Sequence, residues 1–194
     1  MTLTGHEWEL LKALAPTFFK AGADAGAKGT SSLIALLQDE GPMPHRVLAS
    51  WFEDGHACAA IEFLNATPHG AYVEQIEITG PAIDIDFELA STDRIKEGVG
   101  LDNAGAQRGS YKWLKASDRL PLYVPPGDAS AILIRFKDDL KGVVSSAKLV
   151  KFDYLISIVG GKEAENPPKN NRCPGKVRLR KNGPPYEYVQ RRII

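Results

Sequence analysis

The sequence predicts a mainly β protein: an antiparallel, immunoglobulin-like β-sandwich preceded by a short N-terminal helical segment and followed by a basic C-terminal hairpin or tail. Three observations carry that expectation. Short runs with a two-residue apolar period recur between residues 44 and 161, each bounded by Gly, Pro, Asn or Asp. A single interval among them, residues 91–119, has room for a crossover helix, which argues against a parallel α/β arrangement. Composition then changes near the C-terminal end, where basic residues gather. On these grounds the chain divides into a helical segment at 1–43, a β-sandwich domain at 44–161, and a linker with a basic extension at 162–194.

Thr4-Gly5-His6-Glu7 has the reciprocal pattern of a capping box, and Trp8, Leu11 and Leu14 follow at helical spacing until Pro16. A second short helix starts at Thr30, Ser31 or Ser32, runs through Leu33, Leu36 and Leu37, and stops at Gly41-Pro42. After Pro44 the period becomes two. Asp54-Gly55 suits a type I′ hairpin, whose two central residues need positive φ. Closing the turn there pairs Glu53 with His56, Trp51 with Cys58, Ser50 with Ala59 and Leu48 with Ile61. Leu48, Phe52, Ala59, Ile61 and Phe63 then share one face.

Further strands are expected at 72–79, 83–89 and 120–124, around Ile132, Ile134 and Phe136, and over 150–158. The excursion at 91–119 is polar and Gly-rich but carries Tyr111, Trp113 and Leu114, and loops of that length often serve function. Residues 160–171 read as a linker. Beyond it, 176–180 and 186–190 flank Asn182-Gly183, as the arms of a basic hairpin or as parts of a tail.

The overall charge hides an asymmetry. The chain of 194 residues has 24 Lys+Arg against 24 Asp+Glu, which excludes a uniformly basic nucleic-acid platform. Residues 166–194, however, hold eight basic residues and one acid, Glu187, so they carry +7 and the remainder −7. An acidic body with a basic extension can bind its own kind or another polyanion. Hydrophobic residues at 43% and charged residues at 25% exclude a disordered or fibrous chain.

The N-terminus MTLTGHEWEL has no basic region leading into a sustained apolar core, so no secretory signal is expected. The apolar run at 33–37 is far shorter than the ~20 residues a membrane span needs, and no membrane partner is expected. Cys58 and Cys173 are too few for a metal or disulfide framework, though a bridge joining tail to body is allowed. A cytoplasmic protein with reduced thiols and no cofactor is the resulting expectation.

Few constellations point to catalysis. Gly22 to Thr30 is glycine-rich, but Gly29 separates Lys28 from Thr30, so the amine and hydroxyl of a phosphate loop cannot converge. Asp84, Asp86 and Glu88 alternate along an expected strand, and aligned carboxylates suit a divalent cation. The simpler explanation is that Ile83, Ile85, Phe87 and Leu89 face the core while the acids face water. Cys58, His56 and Asp54 supply the residue types of a cysteine hydrolase, but Asp54 belongs to the turn and Cys58 lies opposite Trp51.

The basic extension is the stronger candidate. Lys176, Arg178 and Arg180 share a strand face, Lys181, Arg191 and Arg192 lie nearby in sequence, and Tyr186 and Tyr188 add aromatic surface. The sequence therefore predicts a non-enzymatic interaction module. It would contact a protein partner or a second copy through these residues and through Tyr111 and Trp113 of the excursion. The alternatives are a nucleic-acid-binding protein using the same hairpin, and a metal-dependent or cysteine hydrolase.

Overall fold

The computed structural model describes residues 43–81, 85–92, 111–137, 142, 144, 148–160, 171–180, 183 and 186. The helical segment expected at 1–43 lies outside them apart from Met43, as do the middle of the excursion, most of the linker, and Lys181, Tyr188, Arg191 and Arg192.

The strands in chain order are β1 (His45–Glu53), β2 (His56–Leu64), β3 (Gly70–Gly80), β4 (Phe87–Ser91), β5 (Leu114–Lys115), β6 (Leu122–Val124), β7 (Ala129–Phe136), β8 (Leu149–Val159) and β9 (Arg172–Arg178). They form two antiparallel sheets. One is five-stranded in the order β1-β2-β7-β4-β5, and the other four-stranded in the order β6-β3-β8-β9.

The first hairpin follows from its turn. Asp54 and Gly55 take φ of 51° and 80°, and the pairs Glu53 to His56, Trp51 to Cys58 and Ser50 to Ala59 form as the sequence predicts. The register then slips by one residue between Val47 and Ala49, so Val47, not Leu48, faces Ile61. An extra residue in one strand reverses the alternation beyond it. Leu48 is thereby turned to the opposite face, with Ala49 and Trp51, and Val47 packs toward the core in its place.

Three further differences from expectation bear on the fold. β4 begins at Phe87, level with the end of its partner β7 at Phe136, and the Lys137 amide reaches the Asp86 carbonyl beyond (2.9 Å). β6 begins at Leu122, after Pro121, which has no N–H to give to a ladder. The third difference is the largest. The four-stranded sheet does not finish at residue 161: β9 joins it by pairing with β8, from Leu149 opposite Arg178 to Leu155 opposite Arg172. The strand expected at 176–180 thus takes β8 as a partner, while the other arm of the expected hairpin, 186–190, lies outside the described residues apart from Tyr186. Cys173, Val177 and Leu179 alternate along it, and each has a place in the core to enter.

One apolar core lies between the sheets. Ala57, Ala59, Ile61 and Phe63 of β2 with Ile132, Ile134 and Phe136 of β7 meet Val73, Ile76 and Ile78 of β3 and Val150, Phe152, Tyr154 and Ile156 of β8. Burial of this order, at roughly 1.5–3 kcal/mol for each large side chain, is what drives the sheets together. The five-stranded sheet is also covered on its outer face. Trp51, Cys58, Ala60, Ala90 and Leu133 form a second buried cluster under Tyr111, Trp113 and Tyr186. The outer face of the four-stranded sheet has no such cover among the described residues.

Candidate functional site

The arrangement of β9 follows from its alternation. Its even-numbered residues Arg172, Pro174, Lys176 and Arg178 are exposed, while Cys173, Gly175 and Val177 are buried. Gly175 is required where it stands, since a Cβ there would lie 2.2 Å from the Phe152 ring. Beyond the strand the backbone is fastened to β1. The Ser50 hydroxyl donates to the Arg178 carbonyl at 3.1 Å and accepts from the Arg180 amide at 3.1 Å. Gly183 then passes so close to the Ser50 carbonyl that a Cβ would lie 2.1 Å from it. Tyr186 reaches the Trp51 cluster on the other sheet.

This framework presents cations on one face of the four-stranded sheet. Lys151 of β8 stands directly opposite Lys176 of β9, and Leu149 directly opposite Arg178. Directly paired residues in an antiparallel ladder have Cβ atoms ~5 Å apart, and like charges there are destabilising. Among the described residues, Lys151, Lys176, Arg178 and Arg180 make no ion pair, whereas Arg46, Arg135, Lys137 and Arg172 all do. Arg172 is held by Glu77 and lies 3.7 Å from Asp153, so the middle of the face is neutralised within the chain.

The opposite end of the same face is aromatic and acidic. Tyr72 and Tyr123 pack with ring centroids 5.2 Å apart, and Tyr123 lies over Gly70, where a Cβ would be 2.6 Å from its hydroxyl. The Glu74 carboxylate accepts from the Ser157 hydroxyl. The exposed large hydrophobic residues among those described are Tyr123, Leu149 and Val159, all carried by the strands of this sheet.

The other expected site residues fall elsewhere. Tyr111 and Trp113 pack on the outer face of the five-stranded sheet, Tyr111 only 6% exposed and 6.4 Å from Trp51 by ring centroids. The Arg135 guanidinium lies 4.8 Å over the Trp113 ring and also grips Glu88, whose other oxygen takes Lys137 Nζ at 2.8 Å. Burial opposes ionisation of Glu88, but the hydrogen bonds from Lys137 and Arg135 outweigh it and hold its carboxyl below the usual range. Lys137 is raised in turn, chiefly by Glu88.

Glu88 is therefore committed to two cations, Asp86 precedes the strand and is exposed, and Asp84 lies outside the described residues. No group of three metal-ligating side chains occurs among the described residues. Cys58 is fully buried in the outer cluster, its Sγ 3.7 Å from the His56 carbonyl, and His56 Nδ1 has no hydrogen-bond partner among the described residues. The dyad geometry in which that imidazole nitrogen takes the thiol proton is not formed. Burial raises the Cys173 thiol above its ordinary value, and neither cysteine is bridged.

Sequence reasoning located Lys176, Arg178 and Arg180 but missed Lys151, Glu74 and the Tyr72–Tyr123 pair. Lys151 alternates with the inward Val150 and Phe152, but nothing local revealed which strand would lie beside it; Tyr72 has the parity of the inward Ile76 and Ile78, and only the register shift between Val73 and Gln75 turns it outward. No protein-family model matches this chain, and no curated protein matches it either.

Proposed function

We propose that the protein is a non-enzymatic interaction module, an immunoglobulin-like β-sandwich that meets an anionic macromolecule on the outer face of its four-stranded sheet. One observation carries the reading: Lys151 and Lys176 are held directly across from each other, with Arg178 beside them and no carboxylate among the described residues in ion-pair contact with them. Such a pairing costs stability that a negatively charged partner would recover. Strand order supports the immunoglobulin-like part. β1-β2-β7-β4 and β3-β8-β9 correspond to the ABED and CFG sheets of that architecture, with β5 and β6 added in the connection between D and E. Tyr111 and Trp113 anchor the 91–119 excursion as a second contact region on the opposite sheet. Cytoplasmic residence belongs to the proposal and is supported by two unbridged thiols.

The tyrosine pair on the same face favours a second reading, single-stranded nucleic acid, because such strands are held by cations along the backbone and aromatics that stack on the bases. Both readings are tested by fluorescence anisotropy with poly-L-glutamate and with an oligo-dT strand, over a range of salt. The expected result is binding that weakens steeply with salt and falls at least tenfold in Lys176→Glu/Arg178→Glu, with no loss of thermal stability. If that charge reversal alters neither probe binding nor the mass of the protein in solution, the reading is wrong.

A further inference from the structure

We infer that the occupant of this face is a second copy of the chain, related by a two-fold axis that runs parallel to the sheet in the contact plane above Asp153. The inference rests on the interaction-module reading above and names its partner. The charges on the face are separated into two poles. Lys151, Lys176 and Arg178 form one pole. The other is Glu74, bonded to Ser157, which is six residues along β8 from Lys151 and so roughly 20 Å away at ~3.3 Å per residue. Asp153, bridged by Arg172, sits close to the midpoint.

A two-fold axis through that midpoint lays the cations of each copy over Glu74 of the other. An isologous contact needs this kind of self-complementarity, in which each patch meets its opposite. A polyanion, by contrast, would meet Glu74 as a repulsive charge at the aromatic end of its path. Apolar surface lies where the contact needs it, since Tyr123, Leu149 and Val159 are exposed on these strands. β3 and β8 are each 11 residues long, so four strands ~4.8 Å apart span roughly 500–700 Å² in plan. That approaches the ~800 Å² per partner of a standard interface, and fits a reversible, salt-sensitive dimer.

Sedimentation velocity on the full chain tests this with charge exchange. Wild type is expected to dimerise at low salt, and Lys151→Glu/Lys176→Glu and Glu74→Lys are each expected to raise the dissociation constant at least tenfold. An equimolar mixture of the two variants is expected to form a heterodimer, because every reversed charge then faces a reversed charge. A wild type that stays monomeric, or a mixture that fails to recover the dimer, overturns the inference. The sign at Glu74 separates it from the broader reading. If Glu74→Lys strengthens oligo-dT binding while the protein remains monomeric, the face serves nucleic acid; if poly-L-glutamate binding alone survives, it serves another acidic protein.

Discussion

The Nδ1 atom of His45 lies 3.3 Å from the hydroxyl of Tyr154, which gives its own proton to the Met43 carbonyl at 2.7 Å. With that proton committed, the hydroxyl accepts, and the imidazole donates to it from Nδ1. It is edged by the rings of Phe152 and Tyr154, at centroid distances of 5.3 and 5.5 Å. Burial lowers its pKa from 6.5 to about 4. The unfolded chain then binds a proton between those two values that the folded chain does not, so stability is complete above pH 6.5 and falls as pH drops toward 4. The expected loss is about 2.5 kcal/mol between pH 7 and 4.5, read from urea unfolding. His45→Gln should flatten that dependence, and an unchanged slope would refute the assignment.

The Glu88 cluster predicts a second effect. Its lowered pKa means stability that is present above the ordinary carboxylate range and is lost as pH falls through the depressed value. Glu88→Gln should cost about 1–3 kcal/mol at pH 7, since two cations lose their counter-charge. Arg135→Lys keeps the charge but loses the planar stacking on Trp113, and about 0.5–1 kcal/mol is expected. Tryptophan emission during denaturant unfolding follows both variants.

Gly175→Ala should be severe, because its Cβ would overlap the Phe152 ring. Overpacking of this kind costs about 1–3 kcal/mol or more. Phe152→Leu in the same chain should recover part of the loss. Additive destabilisation in the double variant would mean that the ring is not the obstacle.

Truncation after residue 166 should abolish cooperative unfolding, because it removes β9 and with it Cys173, Val177 and Leu179 from the core. Lys151→Glu should have the opposite sign. An acid opposite Lys176 replaces repulsion with attraction, and thermal melting should show a gain of about 0.2–1 kcal/mol. A loss would indicate that the two lysines are already neutralised within the chain.

What the sequence made legible was local. Asp54-Gly55 dictated its own turn and the first pairs of the hairpin, because positive φ at both positions admits few alternatives. Alternation marked Ile132, Ile134, Phe136, Val150, Phe152 and Tyr154 as inward. Long-range pairing was not legible. The slip at Leu48 depends on how β1 meets β2, and β9 read as an appendage because a glycine- and proline-rich stretch separates it from β8. The same limit hid the candidate face. Lys151 and Lys176 are distant in sequence, and only the β8–β9 ladder makes them neighbours. Tyr186 looked like surface for the same reason, since the Trp51 cluster in which it is buried belongs to the other sheet.

The two-sided burial of the five-stranded sheet has a consequence for dynamics. β2 lies between β1 and β7 in the ladder, with the main core on one face and the Trp51 cluster on the other, and its residues from Ala57 to Ile61 have no exposed surface at all. Its backbone amides can reach solvent protons only when the whole domain opens. They should therefore be the last to take up deuterium, exchanging at the rate of global unfolding, while those of β9 at the sheet edge exchange through smaller fluctuations.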